Sequence, residues 1–257
     1  MNNFYLADLH VHSVLSPCAM DEMTPDKIIS LAKEMGINML AISDHNSSAN
    51  VIVAMQLAKQ AGILLIPAME TECREEAHIL TLFPGLEELL AWQKIVDKNM
   101  SGLNNDTRRL GRQLIVDANG NVLGEESRML LGSLKLSAQE VANIVNELGG
   151  ICIPAHIDRP AYSLLGQLGF ISKKQGYIAV EVSRRGLESA ENGNYRKLTD
   201  NMNFISNSDA HDLGNFLEGA KTKFYMPQLS FEFLKKALTG TDGCFVKPLK
   251  SLFEDDE

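Results

Sequence analysis

Apolar runs alternate with amphipathic stretches along most of the chain, a pattern typical of strands that alternate with helices. We predict strands at residues 4–11, 39–43, 63–69, 78–83, 151–155, 177–182, 204–206 and 223–226. We predict helices over about 25–35, 49–61, 86–98, 137–148 and 230–239. Strands that alternate with helices usually lie parallel and are joined by right-handed crossovers. About seven such units favour an α/β barrel over an open sheet.

Residues 100–135 interrupt this alternation. Within them, Asp117-Ala118-Asn119-Gly120-Asn121 predicts a turn between two short apolar runs, and therefore a hairpin. The segment is too short for a core of its own, so we interpret it as an insertion that acts as a lid or an oligomer contact. A length of 257 residues otherwise suits one barrel domain over 1–257.

Composition limits the classes of partner. The net charge of −9 disfavours tight binding of duplex nucleic acid, whereas a small phosphorylated substrate is compatible with it if bound metal ions invert the local field. The sequence shows neither a signal peptide nor 18 consecutive apolar residues, so no membrane contact is expected. The four cysteines are scattered, which predicts reduced thiols and a cytoplasmic protein.

Six histidines stand near the ends of predicted strands. Five of them lie at or just after the carboxyl end of a strand, and the sixth, His78, begins one. In a parallel barrel the carboxyl ends meet on one face, where active sites form. The six are His10, His12, His45, His78, His156 and His211.

Two pairs with a spacing of two residues come from opposite ends of the sequence. His10 and His12 point to the same side of a strand and can bind one ion at about 2.0–2.1 Å. Asp8 points the same way and is a candidate for orienting one imidazole. Asp209 and His211 form the second pair. A barrel places its first and last strands side by side, so the pairs should meet.

A carboxylate can bridge two ions, which an imidazole cannot. Glu70 follows the third predicted strand and suits the centre of a cluster, whereas Glu72 lies farther into the loop. His45 is a candidate ligand with Asp44 as its orienting acid, and His156 closes the strand at 151–155.

Together these segments resemble the PHP family, named for polymerase and histidinol phosphatase. The matching segments, in order, are DLHVHS (8–13), ISDHN (42–46), the Glu70 segment, His78, PAHIDRP (154–160) and NSDAH (207–211). The resemblance implies a distorted barrel of seven β/α units with two or three metal ions. The implied ligands are His10, His12, Glu70 and Asp209 for one ion, Glu70, His78 and His156 for a second, and His45 with His211 for a third.

The sequence departs from the family pattern in the loop before Thr24-Pro25. The family commonly carries an aspartate there as a ligand of the third ion, but this chain has Met20 at that position. We expect the neighbouring Asp21 to serve instead; Cys18 is a weaker candidate.

The resemblance implies metal-dependent phosphoester hydrolysis. Ligation by histidine and carboxylate suits Zn, Mn or Fe and does not choose among them. Arg159 is the first candidate for binding a substrate phosphate, with a salt bridge to Asp158 as the alternative, and Arg184 and Arg185 are further candidates. We assign catalytic roles to Glu70, His211 and Arg159; no general acid is evident, although His211 or Asp44 is conceivable.

Three other functions are compatible with parts of the sequence. An exonuclease acting on nucleic-acid ends would use the same chemistry, and a metal-binding scaffold would keep the ligands without activity. An amidohydrolase would share the barrel and the pair His10 and His12, but it often bridges its ions with a lysine, and no strand end here presents one.

Overall fold

The computed structural model describes residues 2–252. Within that range the strands are β1 Asn3–Val11, β2 Met39–Ile42, β3 Leu64–Leu65, β4 Ala68–Glu72, β5 His78–Leu82, β6 Leu114–Val116, β7 Val122–Glu125, β8 Ile151–Pro154, β9 Ala179–Glu181, β10 Asn203–Ile205, β11 Lys221–Met226 and β12 Phe245–Leu249. The helices are α1 Pro25–Glu34, α2 Val51–Ala61, α3 Leu86–Asn99, α4 Thr107–Leu110, α5 Ala138–Glu147, α6 Leu164–Leu168, α7 Leu187–Glu191, α8 Leu213–Glu218 and α9 Phe231–Thr239, with a 3₁₀ turn at Lys173–Gln175.

The strands form four hydrogen-bonded sheets, and the mixed α/β class is confirmed. The orders are β12-β11-β1-β2-β3, β4-β5-β8, β10-β9 and β6-β7. The pairs β1–β2, β2–β3 and β9–β10 are parallel, as predicted. These sheets are not joined into a continuous closed barrel within residues 2–252, so the barrel stays a prediction.

The prediction of parallel strands is wrong for the sheet β4-β5-β8, where both pairs are antiparallel, and for β11, which is antiparallel to β1 and to β12. For β4 and β5 the physical reason is the short connection over residues 73–77, which cannot form the crossover of a dozen or more residues that parallel neighbours need. Strand β5 therefore runs opposite to β4, and His78, at its beginning, pairs with Glu72, at the end of β4.

The predicted strand at 63–69 is two short strands in the structure. Ile66 and Pro67 separate β3 from β4, and the proline has no N–H to donate to a neighbouring strand. Beyond this break, Glu70 in β4 lies at the end of β2, where a parallel bridge joins it to His45.

One hydrophobic core lies between the sheets and a second lies beneath the helices. The first includes inward-pointing side chains from strands of three sheets: Leu9, Ala41, Ala68, Leu80, Ile153, Ala179 and Ile205. The second includes the buried faces of α1, α2, α3 and α5. The core between the sheets holds the strand ends close together.

The predicted hairpin in the insertion is confirmed as β6 and β7, which are antiparallel. The insertion packs against the loops that follow β1 and β2. The amide of Leu114 donates to the carbonyl of Val14 at 2.9 Å, and the Asn50 side chain donates to the carbonyl of Leu114 at 3.0 Å. It therefore lies beside the ends of the strands that carry the histidines.

None of the helices within residues 2–252 combines the length and the apolar character needed to cross a membrane. All four cysteines are free, as predicted.

Candidate metal centre

Glu70 lies at the centre of a buried cluster of imidazoles. Its side chain in β4 is 1% exposed. The carboxylate oxygen Oε1 lies 2.9 Å from Nδ1 of His78, 3.1 Å from Nε2 of His10 and 3.3 Å from Nε2 of His156. Three histidines from different parts of the chain therefore face one oxygen atom.

The second oxygen of Glu70 faces two further histidines. Oε2 lies 3.0 Å from Nδ1 of His45 and 3.3 Å from Nε2 of His12. Asp209 approaches from the other side, with Oδ1 at 3.2 Å from Nε2 of His12 and 3.4 Å from Nε2 of His10. Each Glu70 oxygen thus has its own set of imidazoles, an arrangement that suits a bridging carboxylate.

His211 lies at the edge of the cluster and is more exposed than the five other histidines. Its ring stacks on that of His12, with 4.2 Å between centroids, and its Nδ1 lies 2.8 Å from the backbone oxygen of Asp209. Side-chain nitrogens of His12, His45 and His211 come close enough to share one ion. His45 and His211, the histidines predicted for the third ion, therefore lie close together, and His12 lies with them.

The acid predicted for this third group lies apart from it. Asp21 is exposed and does not appear among the side chains of residues 2–252 that group closely enough to share an ion. The backbone of Met20 is close, since its amide donates to the carbonyl of His211 at 2.8 Å, while its side chain is 57% exposed. The role of Asp21 stays a prediction.

The two pairs defined by their spacing, His10 with His12 and Asp209 with His211, lie next to each other as the sequence predicts. The amide of His12 donates to the carbonyl of Ala210 at 3.0 Å, and Val11 forms a parallel bridge with Ala210. This contact brings the segment with Asp209 alongside the end of β1. His78 reaches the same place because its strand is antiparallel, so that the beginning of β5 lies where β4 ends.

Glu181, at the end of β9, orients His10, and the sequence analysis did not identify it. Its Oε2 accepts from Nδ1 of His10 at 2.9 Å and from the amide of His156 at 3.2 Å, while its Oε1 accepts from Asn207 at 2.9 Å. A carboxylate behind a ligating histidine fixes the ring orientation and increases its basicity. One carboxylate thus positions two candidate ligands.

Asp8 does not orient an imidazole, so that expectation is wrong. Its Oδ2 lies 3.1 Å from Nζ of Lys221, and both side chains are fully buried. Its Oδ1 accepts from the amide of Ser208 at 3.1 Å. Asp8 instead pairs with the buried ammonium of Lys221, which needs a partner of opposite charge. Its hydrogen bond to Ser208 holds the residue before Asp209 in place.

Asp44 and Glu72 each bond to a serine at the edge of the cluster. Asp44 is buried and accepts from both the amide and the hydroxyl of Ser13, at 2.7 and 2.6 Å. Burial raises the pKa of Asp44 despite these hydrogen bonds. Glu72 accepts from the hydroxyl of Ser133 in the insertion at 2.6 Å, and its Oε2 lies 3.8 Å from Nε2 of His78.

The charges of the cluster are strongly coupled. Burial would raise the pKa of Glu70, but His78, His10 and His45 lower it well below its usual range. Burial would also raise the pKa of Asp209, but His10 and His12 outweigh it and lower this pKa well below its usual range. Both carboxylates are therefore ionised at neutral pH and available as ligands.

The hydrogen-bonding roles of these atoms fit bound metal ions. Because Nδ1 of His10 faces Glu181, the neutral ring presents the lone pair of Nε2 to Glu70. Nε2 of His10 also lies 3.3 Å from Nε2 of His12. Oε2 of Glu70 and Nδ1 of His156 are buried without a hydrogen bond to residues 2–252. Acceptors that face one another need a cation between them, and imidazole with carboxylate suits divalent transition metals.

Two candidate ligands have unusual backbone conformations. His156 has φ of 31° and Asp209 has φ of 49°, in the left-handed region that residues other than glycine seldom adopt. Such a conformation costs on the order of 1–3 kcal/mol, and it occurs most often at functional sites.

A cavity of about 710 Å³ opens beside the cluster. Its wall includes the three predicted arginines Arg159, Arg184 and Arg185, together with His156 and Asp209. Nη2 of Arg159 lies 2.6 Å from Oδ2 of Asp209. The alternative pairing of Arg159 with Asp158 is not the one formed, because Asp158 accepts instead from the amide and hydroxyl of Ser183, at 2.7 and 2.6 Å.

Comparison with curated proteins gives two relatives that match short parts of this chain. A 5'-3' exoribonuclease of Haemophilus influenzae is 34% identical over 95 residues, which is 34% of each chain. A phosphoribosyl 1,2-cyclic phosphate 1,2-diphosphodiesterase of Eggerthella lenta is 28% identical over 88 residues, or 32% of each. The matched segments span about a third of the length of these relatives.

Solved structures match nearly the whole chain at low identity. The lesion-specific endonuclease of Pyrococcus furiosus superimposes with a TM-score of 0.66 and 21% identity, covering 95% of this chain and 58% of that one. An amidohydrolase of Chromobacterium violaceum with bound sulfate gives 0.53 and 20%, covering 81% and 88%. At these identities the likeness shows a shared fold.

A model of one protein family matches more than half of this chain. The PHP domain model matches residues 8–161, which contain five of the six histidines and Glu70. The remaining segment of the resemblance, with Asp209 and His211, follows that match and meets it in space through the bridge between Val11 and Ala210. The chain belongs to the PHP domain family.

Proposed function

We propose that this protein hydrolyses phosphoesters at a centre of two or three divalent metal ions. The observation that carries the proposal is the carboxylate of Glu70. Five imidazole nitrogens surround its two oxygens at 2.9–3.3 Å, with three at one oxygen and two at the other. The relatives add support, since their names describe a diphosphodiesterase, an exoribonuclease and an endonuclease.

The predicted ligand sets supply the sites of this centre. His10, His12 and Asp209 would share one ion with Glu70, and His78 and His156 would share a second with it. The third group, around His45 and His211, would hold a further ion if Asp21 or a solvent molecule completes it. When bound, divalent ions generate a nucleophile from water near neutral pH and neutralise charge on a phosphoryl group.

The protein's own residues would bind and orient the substrate. Arg159 stands between the cluster and the cavity and offers a planar fork that matches two phosphate oxygens. Its contact with Asp209 holds the guanidinium beside the ligands. Arg184 and Arg185 line the same cavity and would attract the remaining negative charge of the substrate.

The cavity favours a small phosphorylated metabolite or a nucleotide as the substrate. Nucleic-acid ends are a second candidate, and the two nuclease relatives favour it. The expectation that duplex nucleic acid is excluded finds no support in the comparisons, because Endonuclease Q is known in complex with a 27-mer duplex substrate. Net charge alone is a weak guide here, since bound ions change the local field.

A phosphate-release screen tests the proposal. The purified protein would be stripped of metal, reloaded with Zn, Mn or Fe, and offered sugar phosphates, nucleotides, single-stranded oligonucleotides, and lactones and amides. We expect phosphoester cleavage with at least one metal and none by the stripped protein. Lactone or amide hydrolysis alone would favour the amidohydrolase function; metal binding without any hydrolysis would favour a scaffold.

We also infer that the sheets belong to one distorted barrel domain with the insertion as a lid. Backbone contacts connect neighbouring sheets, including the bridge from His45 to Glu70 and a hydrogen bond from the amide of Ile157 to the carbonyl of Glu181 at 2.9 Å. The insertion lies against Glu72 through Ser133. A variant without residues 100–135 should change its substrate profile or its mass by light scattering.

A further inference from the structure

Tyr162 combines three features that the proposed chemistry does not explain. It is 53% exposed, although it is a large aromatic side chain. Its φ is 56°, a left-handed conformation that is unfavourable for a bulky residue. Its ring stacks on that of the candidate ligand His78, with centroids 5.0 Å apart and an interplanar angle of 29°.

The backbone holds Tyr162 firmly in this position. The amide of His78 donates to the carbonyl of Tyr162 at 3.0 Å, and Ala77 forms a parallel bridge with Tyr162. The next residue, Ser163, is the N-cap of α6, and its hydroxyl accepts from the amide of Gly166 at 3.0 Å. The loop after His156 is therefore fixed at both ends, and the strain at Tyr162 is sustained by its surroundings.

One face of the tyrosine ring covers His78, and the rest of the side chain is largely open to solvent. Tyr162 follows Arg159 by three residues, so their backbones are at most about 10 Å apart. Arg159 lines the cavity proposed for the phosphate. Tyr162 lies outside the wall of that cavity, so a ligand with its phosphate at Arg159 would have to extend beyond the cavity to place a planar ring on Tyr162.

We propose that Tyr162 is a stacking platform for the base of a nucleotide substrate, an inference that rests on the proposed phosphoesterase function. The platform would select nucleotides, or the terminal nucleotide of a strand, over sugar phosphates that lack a base. Stacking on an aromatic side chain tolerates any base, because every base has a π face. The expected effect of losing the ring is about tenfold in affinity.

The first measurement is binding of 2-aminopurine riboside 5'-monophosphate to the metal-loaded protein, because stacking quenches the fluorescence of this base. Tyr162→Phe should keep the quenching and the affinity. Tyr162→Asn should lose the quenching and bind about tenfold more weakly, and asparagine tolerates the left-handed backbone, so the variant should fold. Phe170→Asn, which removes a similarly exposed aromatic ring beyond α6, is the matched control and should behave as wild type.

The second measurement compares the KM of a nucleoside monophosphate with that of ribose 5-phosphate. Tyr162→Asn should raise only the KM for the nucleotide. Equal effects on both substrates would mean that Tyr162 acts through His78, and an unchanged affinity of Tyr162→Asn would mean that no base stacks there; either result overturns the inference. If quenching occurs and no phosphoester is cleaved, the proposed function fails while the inference stands.

Discussion

The Nδ1 atom of His10 lies 2.9 Å from Oε2 of Glu181, and the opposite ring nitrogen lies 3.1 Å from Oε1 of Glu70. His10 is fully buried between these carboxylates. Burial lowers the pKa of His10, but Glu181, Glu70 and Asp209 raise it well above its usual value. A proton on His10 would satisfy both carboxylates, and a metal ion at Nε2 would replace that proton.

Glu181→Gln should weaken metal binding by about 10–100-fold, as expected when the group behind a ligating histidine is changed. The amide has an N–H₂ group where the carboxylate has only acceptors, so it cannot accept from His10, His156 and Asn207 equally well. Metal titration of the stripped protein measures the change. Glu188→Gln, an exposed glutamate in α7, is the control; equal metal affinity in both variants would remove the role of Glu181.

Arg159→Ala should reduce kcat/KM by about 10–150-fold, because a charge-assisted hydrogen bond to phosphate is worth roughly 1.5–3 kcal/mol. Arg159→Lys should restore little of the activity, since an ammonium lacks the planar fork. Steady-state kinetics on the substrate found in the screen measures both. Arg196→Ala, at an exposed position outside the cavity wall, should retain wild-type kinetics. Full activity of Arg159→Ala would contradict the assignment.

Lys221→Met should destabilise the fold by about 3–5 kcal/mol, because it leaves the buried Asp8 carboxylate without its cation. Urea unfolding measures the loss of stability. Lys235→Met changes an exposed lysine in α9 and should shift the free energy of unfolding by less than about 0.5 kcal/mol. A similar stability for the two variants would show that the buried pair contributes little.

The convergence of the candidate ligands could be predicted because most of them stand at the ends of apolar runs in the sequence. The spacing of two residues in His10 and His12 places this pair on one side of β1. The same spacing marks Asp209 and His211 in the sequence, although Asp209 has a left-handed backbone with φ of 49°. The positions of His45, Glu70 and His156 after apolar runs place them at strand ends. These relationships are local, so they need no knowledge of the tertiary structure.

The supporting residues could not be predicted because their partners are distant in sequence. Glu181 is 171 residues from His10, and its only local sign is a carboxylate at the end of a short apolar strand. Lys221 similarly begins a strand, and nothing near it indicates Asp8. The antiparallel course of β5 did have a local sign, since residues 73–77 are too few for a crossover.

Elemental analysis of the purified protein, together with the matched variants Glu70→Gln and Glu72→Gln, tests the metal centre most directly. Glu70 is predicted to bridge the ions, whereas Glu72 lies at the edge of the cluster, where it accepts from Ser133 at 2.6 Å and lies 3.8 Å from Nε2 of His78. We predict at least two divalent ions per chain in the wild type and in Glu72→Gln, and fewer than one in Glu70→Gln. Fewer than one ion per chain in the wild type reloaded with Zn, Mn and Fe, or an unchanged metal content in Glu70→Gln, would contradict the account.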